Sequence, residues 1–120
     1  MGTHIIQAWE NAKMVDEILG HLEDLKALCR RYGVNRLELF GSAASGTFNP
    51  ATSDYDFIAS FSDSDQPGYA RRYFEFAEAL ESLFKRHVDL LTERSINNPF
   101  FRESVNHARI TLYLEALITA

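Results

Sequence analysis

The chain has 120 residues, 46% apolar and 12% aromatic, with a formal net charge of −5. That is enough for one folded domain of ordinary globular composition, read as residues 1–120, and too little for two. The acidic balance argues against a broad nucleic-acid footprint, which Lys and Arg would have to supply, yet leaves room for a nucleotide whose charge is met by bound metal and for a basic protein partner.

From about Ile5 to Arg31 the spacing predicts a helix. Val15, Ile18, Leu19, Leu22, Leu25, Leu28 and Cys29 recur at three- and four-residue steps, with Glu23, Asp24, Lys26, Arg30 and Arg31 on the other face. Cys29 is the lone cysteine, so no disulfide can form within the chain, and its place on the apolar stripe reads as a small buried residue. Gly33 is a stop signal. Asn35 to Phe40 alternates, with Leu37 and Leu39 on one face, and reads as a strand. Gly41 to Ser53 is rich in Gly, Ser, Ala, Thr, Asn and Pro and reads as a turn, or a short helical turn, followed by a loop.

Asp54 to Phe61 reads as a second strand, and Ser62 to Gly68 as a polar loop. Tyr69 to Arg86 returns to helical spacing through Tyr73, Phe76, Ala77, Leu80, Leu83 and Phe84. His87 to Thr92 is a short strand. Asn98-Pro99 marks a turn and Phe100 to Ala108 reads as helical. Ile110, Leu112 and Leu114 alternate and fit either a strand or the end of that helix. The Gly41–Ser53 connection is too short for an ordinary helical crossover, so the first two strands should be antiparallel and the sheet mixed. The expected fold is a small α/β (α+β) structure, a mixed sheet with helices packed against it. No apolar run approaches the roughly 20 residues that span a bilayer. The N-terminus lacks a basic segment followed by an apolar one, so a cytoplasmic location is expected.

The chemistry concentrates at three carboxylates. Asp54 and Asp56, at i and i+2, project from one side of a strand. Two carboxylates on one face repel unless a cation or shared proton holds them. Asp89 interrupts the apolar run Val88-Asp89-Leu90-Leu91, where a charge is costly unless paired or bound to metal. Three convergent carboxylates suit Mg²⁺, which takes oxygen ligands. Two such ions can hold the attacking and leaving oxygens of a phosphoryl displacement. Asp54 and Asp56 are the expected metal ligands, and Asp89 the third, able to act on an acceptor hydroxyl. Beside them, Gly41 permits close backbone approach, and Ser42 offers a hydroxyl and an N–H to a phosphate.

These residues, Gly41-Ser42, Asp54-Tyr55-Asp56 and the downstream Val-Asp-Leu-Leu, resemble the polymerase-β-like nucleotidyltransferase superfamily. The nearest group is its minimal nucleotidyltransferase (MNT) domains, which consist of little more than this core. The motifs cover Leu37 to Leu91. The resemblance implies a nucleoside triphosphate with Mg²⁺ and transfer of a nucleoside monophosphate to a hydroxyl. By position, Gly41 and Ser42 would be nucleotide-binding, and Asp54, Asp56 and Asp89 catalytic and metal-binding. Many MNT proteins are antitoxins of HEPN-domain ribonuclease toxins, and members of that group transfer AMP from ATP onto a toxin tyrosine. The resemblance implies the same role here. One departure stands out. Many relatives read Gly-Ser-x-Ala-Arg-Gly, whereas this chain has Gly41-Ser42-Ala43-Ala44-Ser45-Gly46, with Ser45 in place of the arginine. Arg71, Arg72 and Lys85 are the candidates to supply the missing charge.

Two other readings compete. The chain could neutralise its partner by binding alone. It could also transfer a nucleotide to a small molecule such as an aminoglycoside, which usually requires a further substrate domain. Several residues read as structural: Asp63-Ser64-Asp65 as a solvated loop, Trp9 and Phe100-Phe101 as core, and Arg71-Arg72 as surface charge. His4, His21, His87 and His107 lack metal-ligand spacing, and His87 reads chiefly as a surface residue beside the third strand.

Overall fold

A computed structural model describes residues 16–45, 54–96, 99 and 109–115. The predicted first helix is two helices, α1 (Asp16–Gly20) and α2 (Leu22–Tyr32). His21 breaks it: its N–H bonds the Ile18 carbonyl at 3.1 Å, three residues back, and its backbone leaves helical values at φ −108°, ψ 17°. Gly20, a poor helix former, stands just before the break. The expected stretch before Asp16, with His4 and Trp9, lies outside the described residues. The stop at Gly33 is as predicted. It is left-handed (φ 74°), and its N–H returns to the Cys29 carbonyl. Burial pushes the Cys29 thiol up to about 12, in keeping with a packing residue.

Strand β1 (Val34–Phe40) runs directly into α3 (Gly41–Ser45), a single short helical turn. Then follow β2 (Tyr55–Phe61), α4 (Tyr69–Phe84), β3 (Val88–Thr92), a 3₁₀ turn (Glu93–Ser95) and β4 (Ile110–Leu114). The tail that was open between strand and helix is therefore a strand. The predicted helix over Phe100–Ala108 lies outside the described residues, as do Asn98, Phe101 and His107. Helix α4 ends two residues early because Lys85 turns left-handed, at φ 54°.

The sheet order is β3-β2-β1-β4. β1 pairs antiparallel with β2 and with β4, while β2 pairs parallel with β3. The sheet is mixed, as the short 41–53 connection required.

Alternation splits the sheet into two chemically distinct faces. Leu37, Leu39, Tyr55, Phe57, Ala59, Phe61, Val88 and Leu90 pack with Leu25, Cys29, Phe76, Leu80 and Phe84 of the helices. An aromatic cluster joins β2 to α4. Phe57 stacks on Phe84 at 6.0 Å, Tyr55 meets Phe84 edge-on at 5.1 Å, and Phe61 meets Phe76 at 5.8 Å. The other face carries a smaller cluster of Phe40, Ile58 and Ile96, with Leu91 against it. It also holds Glu38, only 3% exposed. That carboxylate lies 2.5 Å from Arg109 and 3.3 Å from Arg36. Arg109 also bonds Glu93. No described helix is long and apolar enough to cross a membrane.

Candidate active site

The site lies on the sheet face opposite α2 and α4, at the starting ends of β2 and β3. Because β2 and β3 run parallel with Tyr55 opposite Val88 and Asp56 opposite Asp89, the two apolar residues sink into the core. The two carboxylates emerge side by side. One step earlier, the Tyr55 N–H reaches the His87 carbonyl at 3.4 Å, which brings Asp54 next to His87. The register thus lays Asp54-x-Asp56 alongside His87-x-Asp89.

The geometry bears the marks of crowded negative charge. The Asp56 carboxyl is pushed up to about 6, first by burial, then by its hydrogen bond to Asp89 and by the charges of Asp89 and Asp54. His87 opposes that rise. Its Nδ1 lies 3.2 Å from Asp54 Oδ2 and 3.9 Å from Asp89 Oδ1. Asp54, His87 and Asp89 are solvent-exposed, and one ligand atom from each falls within 4.8 Å of the others.

Gly41 completes the arrangement from the end of β1. Phe40 pairs with Asp56, so the next residue passes beside the Asp56 side chain. A Cβ at Gly41 would stand 2.2 Å from Asp56 Oδ2 and 3.1 Å from its Cγ. The backbone there is also left-handed, at φ 73°. Glycine is required twice over, for the turn and for the room the carboxylate occupies. Ser42 follows in the first turn of α3, whose leading N–H groups have no partner within the helix.

Two anchors on the opposite face fix the strand starts. The Tyr55 hydroxyl donates to Glu17 Oε1 at 2.6 Å, with the Arg86 guanidinium 5.0 Å from the ring centre. The Val88 N–H donates to Glu81 Oε2 at 3.1 Å. Each anchored residue sits between two members of the cluster.

Of the candidates for the missing positive charge, Arg72 is used elsewhere. It donates to the carbonyls of Tyr32, Ser62 and Asp63 at 3.0, 2.7 and 3.0 Å, tying the far end of β2 to the end of α2. Arg71 and Lys85 are exposed. Asp63 and Asp65 are exposed in a turn, as their polar loop predicted. Two clefts, of about 210 and 340 Å³, lie around Tyr69 and Thr92, and neither is lined by a carboxylate of the cluster. His87 is exposed, as its sequence context predicts, and it also stands within the cluster; its i, i+2 spacing to Asp89 repeats that of Asp54 to Asp56.

The donor set fits a divalent cation. Three carboxylates converge at the surface, and the absence of a Cβ at Gly41 leaves the third of them, Asp56, in place. Residues 22–112 match the nucleotidyltransferase domain family. The chain belongs to that family. A Methanocaldococcus jannaschii protein, provisionally named a protein adenylyltransferase, is 36% identical over 80 residues, which are 67% of this chain and 78% of that protein. A solved structure described as a minimal nucleotidyltransferase superposes with a TM-score of 0.64 at 29% identity, covering 79% of this chain and 92% of the other. A third, from a complex of tri-AMPylated Shewanella oneidensis HEPN toxin with MNT antitoxin, superposes with a TM-score of 0.55 at 20% identity, covering 82% and 74%, and shares the fold. The chain is a nucleotidyltransferase with the expected mixed sheet.

Proposed function

We propose that this nucleotidyltransferase transfers AMP from Mg²⁺-ATP to a hydroxyl, a tyrosine by our reading, of a HEPN-family toxin, and so acts as its antitoxin. The observation that carries this reading is the register of Asp56 with Asp89, beside a Gly41 that has no room for a side chain. The names of the similar proteins support the choice of substrate class. Asp54, Asp56 and Asp89 would hold Mg²⁺. The ion, when bound, would neutralise phosphate charge and polarise the phosphoryl under attack. Gly41 and Ser42 would hold the triphosphate through backbone N–H groups and the Ser42 hydroxyl. Asp89, exposed at the rim, would orient the acceptor hydroxyl and receive its proton as the hydroxyl oxygen bonds to the α-phosphorus of ATP and pyrophosphate leaves. The exposure of Asp54 and Asp89 suits a protein acceptor, since a side chain on a docked surface can reach them.

The test is the intact mass of the toxin partner after incubation with this protein, ATP and Mg²⁺. The expected result is a gain of one or more AMP units, lost when Asp54→Ala and Asp56→Ala are combined. A second reading, neutralisation by binding alone, is favoured by Ser45 and by the commitment of Arg72 to backbone carbonyls. Stable complex formation with no mass change would establish it.

A further inference from the structure

The imidazole of His87 has no part in the three-carboxylate scheme, yet it stands within it. Two atoms that each bind one ion at about 2.1 Å lie about 3.0 Å apart at right angles and about 4.2 Å apart when opposite. His87 Nδ1 is 3.2 Å from Asp54 and 3.9 Å from Asp89, inside that interval on both sides. The side chain is 61% exposed, so the core does not require it to point at the carboxylates. Its backbone is held in place, because the His87 carbonyl accepts the Tyr55 N–H and the next N–H is bound by Glu81.

We propose that His87 joins Asp54, Asp56 and Asp89 as a ligand of the metal centre, making it a mixed nitrogen–oxygen site. The inference rests on the reading of the carboxylates as a metal site, though not on AMP transfer. Its consequence is selectivity. Imidazole adds little for Mg²⁺, which prefers oxygen and water, and adds affinity for transition ions. The centre should therefore accept Mn²⁺ more readily than a site of carboxylates alone.

The experiment uses the full chain and Mn²⁺ alone, without nucleotide. Electron spin-echo modulation of the bound ion reads a directly bonded nitrogen, and calorimetry reads affinity for Mn²⁺ and, separately, Mg²⁺. The expected result is nitrogen modulation in the parent protein, absent in His87→Gln and His87→Ala. The same substitutions should weaken Mn²⁺ binding about tenfold, the low end of the range for loss of a group that supports a metal site, and Mg²⁺ binding less. Circular dichroism would check that both variants fold. Modulation that is absent in the parent, or that survives both substitutions, overturns the proposal and leaves His87 as a hydrogen-bond partner of Asp54. Failure of Mn²⁺ to bind in a manner dependent on Asp54 and Asp89 overturns it as well. AMP transfer is read in a different assay, so the two readings fail separately.

Discussion

At the scale of single residues, the site depends on one missing methyl group. Gly41 and Asp56 occupy the same space as far as any larger residue is concerned, since an added Cβ would lie 2.2 Å from the carboxylate. Gly41→Ala should thus act in two ways. The left-handed backbone costs about 1–2 kcal/mol for a residue with a Cβ. The displaced Asp56 loses its alignment with Asp89, so AMP transfer should fall at least about 100-fold, in line with the sensitivity of catalysis to a 1 Å misplacement. Thermal unfolding and a transfer assay separate the two effects. A variant that loses a few degrees and keeps full activity would show that Asp56 need not stand where it does. The positions of Gly41, Asp54, Asp56 and Asp89 were legible because glycine and paired carboxylates inside apolar runs are locally anomalous. His87 was harder to see, because its partner Asp54 is 33 residues away and histidine is ordinary at a surface. Glu38 could not be read at all. Alternation marks it as outward-facing, and Arg109, 71 residues on, joins Arg36 in making its burial tolerable.

At the scale of elements, the helices hold the chemistry from behind. Tyr55 and Val88 point into the helical face, while their neighbours Asp54, Asp56, His87 and Asp89 form the cluster. Glu17 and Glu81 each tie down one of these strand starts. Because β3 is an edge strand, its first N–H depends on a side chain for a partner. Glu81→Ala should cost about 1 kcal/mol, the net worth of a hydrogen bond, and should lower transfer several-fold by loosening His87 and Asp89. Glu81→Gln keeps an acceptor oxygen and should restore most of both. Hydrogen exchange at the Val88 amide, faster in the Ala variant alone, would report the loosened strand directly. Equal exchange in all three proteins would mean that the strand start is held by its other contacts. Among the described residues, the main helices and strands were legible from periodicity with two exceptions. The break at His21 was hidden because the apolar spacing continues across it from Ile18 through Leu22 to Leu25. The tail strand stayed ambiguous because five alternating residues lack the length to decide between two periods. Its pairing with β1 decides it.

At the scale of the whole molecule, clustered carboxylates tie stability to pH and to metal. The folded Asp56 carboxyl is pushed up to about 6, above the 3.8 of the unfolded chain. An acid whose pKa is raised by folding contributes most below its unfolded value and loses that contribution as pH rises through the folded one. Without metal, the protein should therefore lose stability between about pH 4 and pH 6 on account of this group. After allowance for solvent screening the loss is of order 1–2 kcal/mol, or several degrees in Tm. A divalent cation that binds the carboxylates reverses the sign of the effect, because it favours the ionised cluster and competes with protons for it. Adding Mg²⁺ or Mn²⁺ should raise Tm clearly at pH 7 and little at pH 4.5. Asp56→Asn removes the repulsion and one ligand together. It should raise the metal-free Tm at pH 7, flatten the pH 4–6 slope and shrink the metal-dependent rise. Melting curves of both proteins across this range, with and without metal, test all three expectations. A parent protein whose Tm does not respond to divalent metal at pH 7 would mean that the cluster is held by shared protons and His87 instead, and the metal assignment of Asp54, Asp56 and Asp89 would fall.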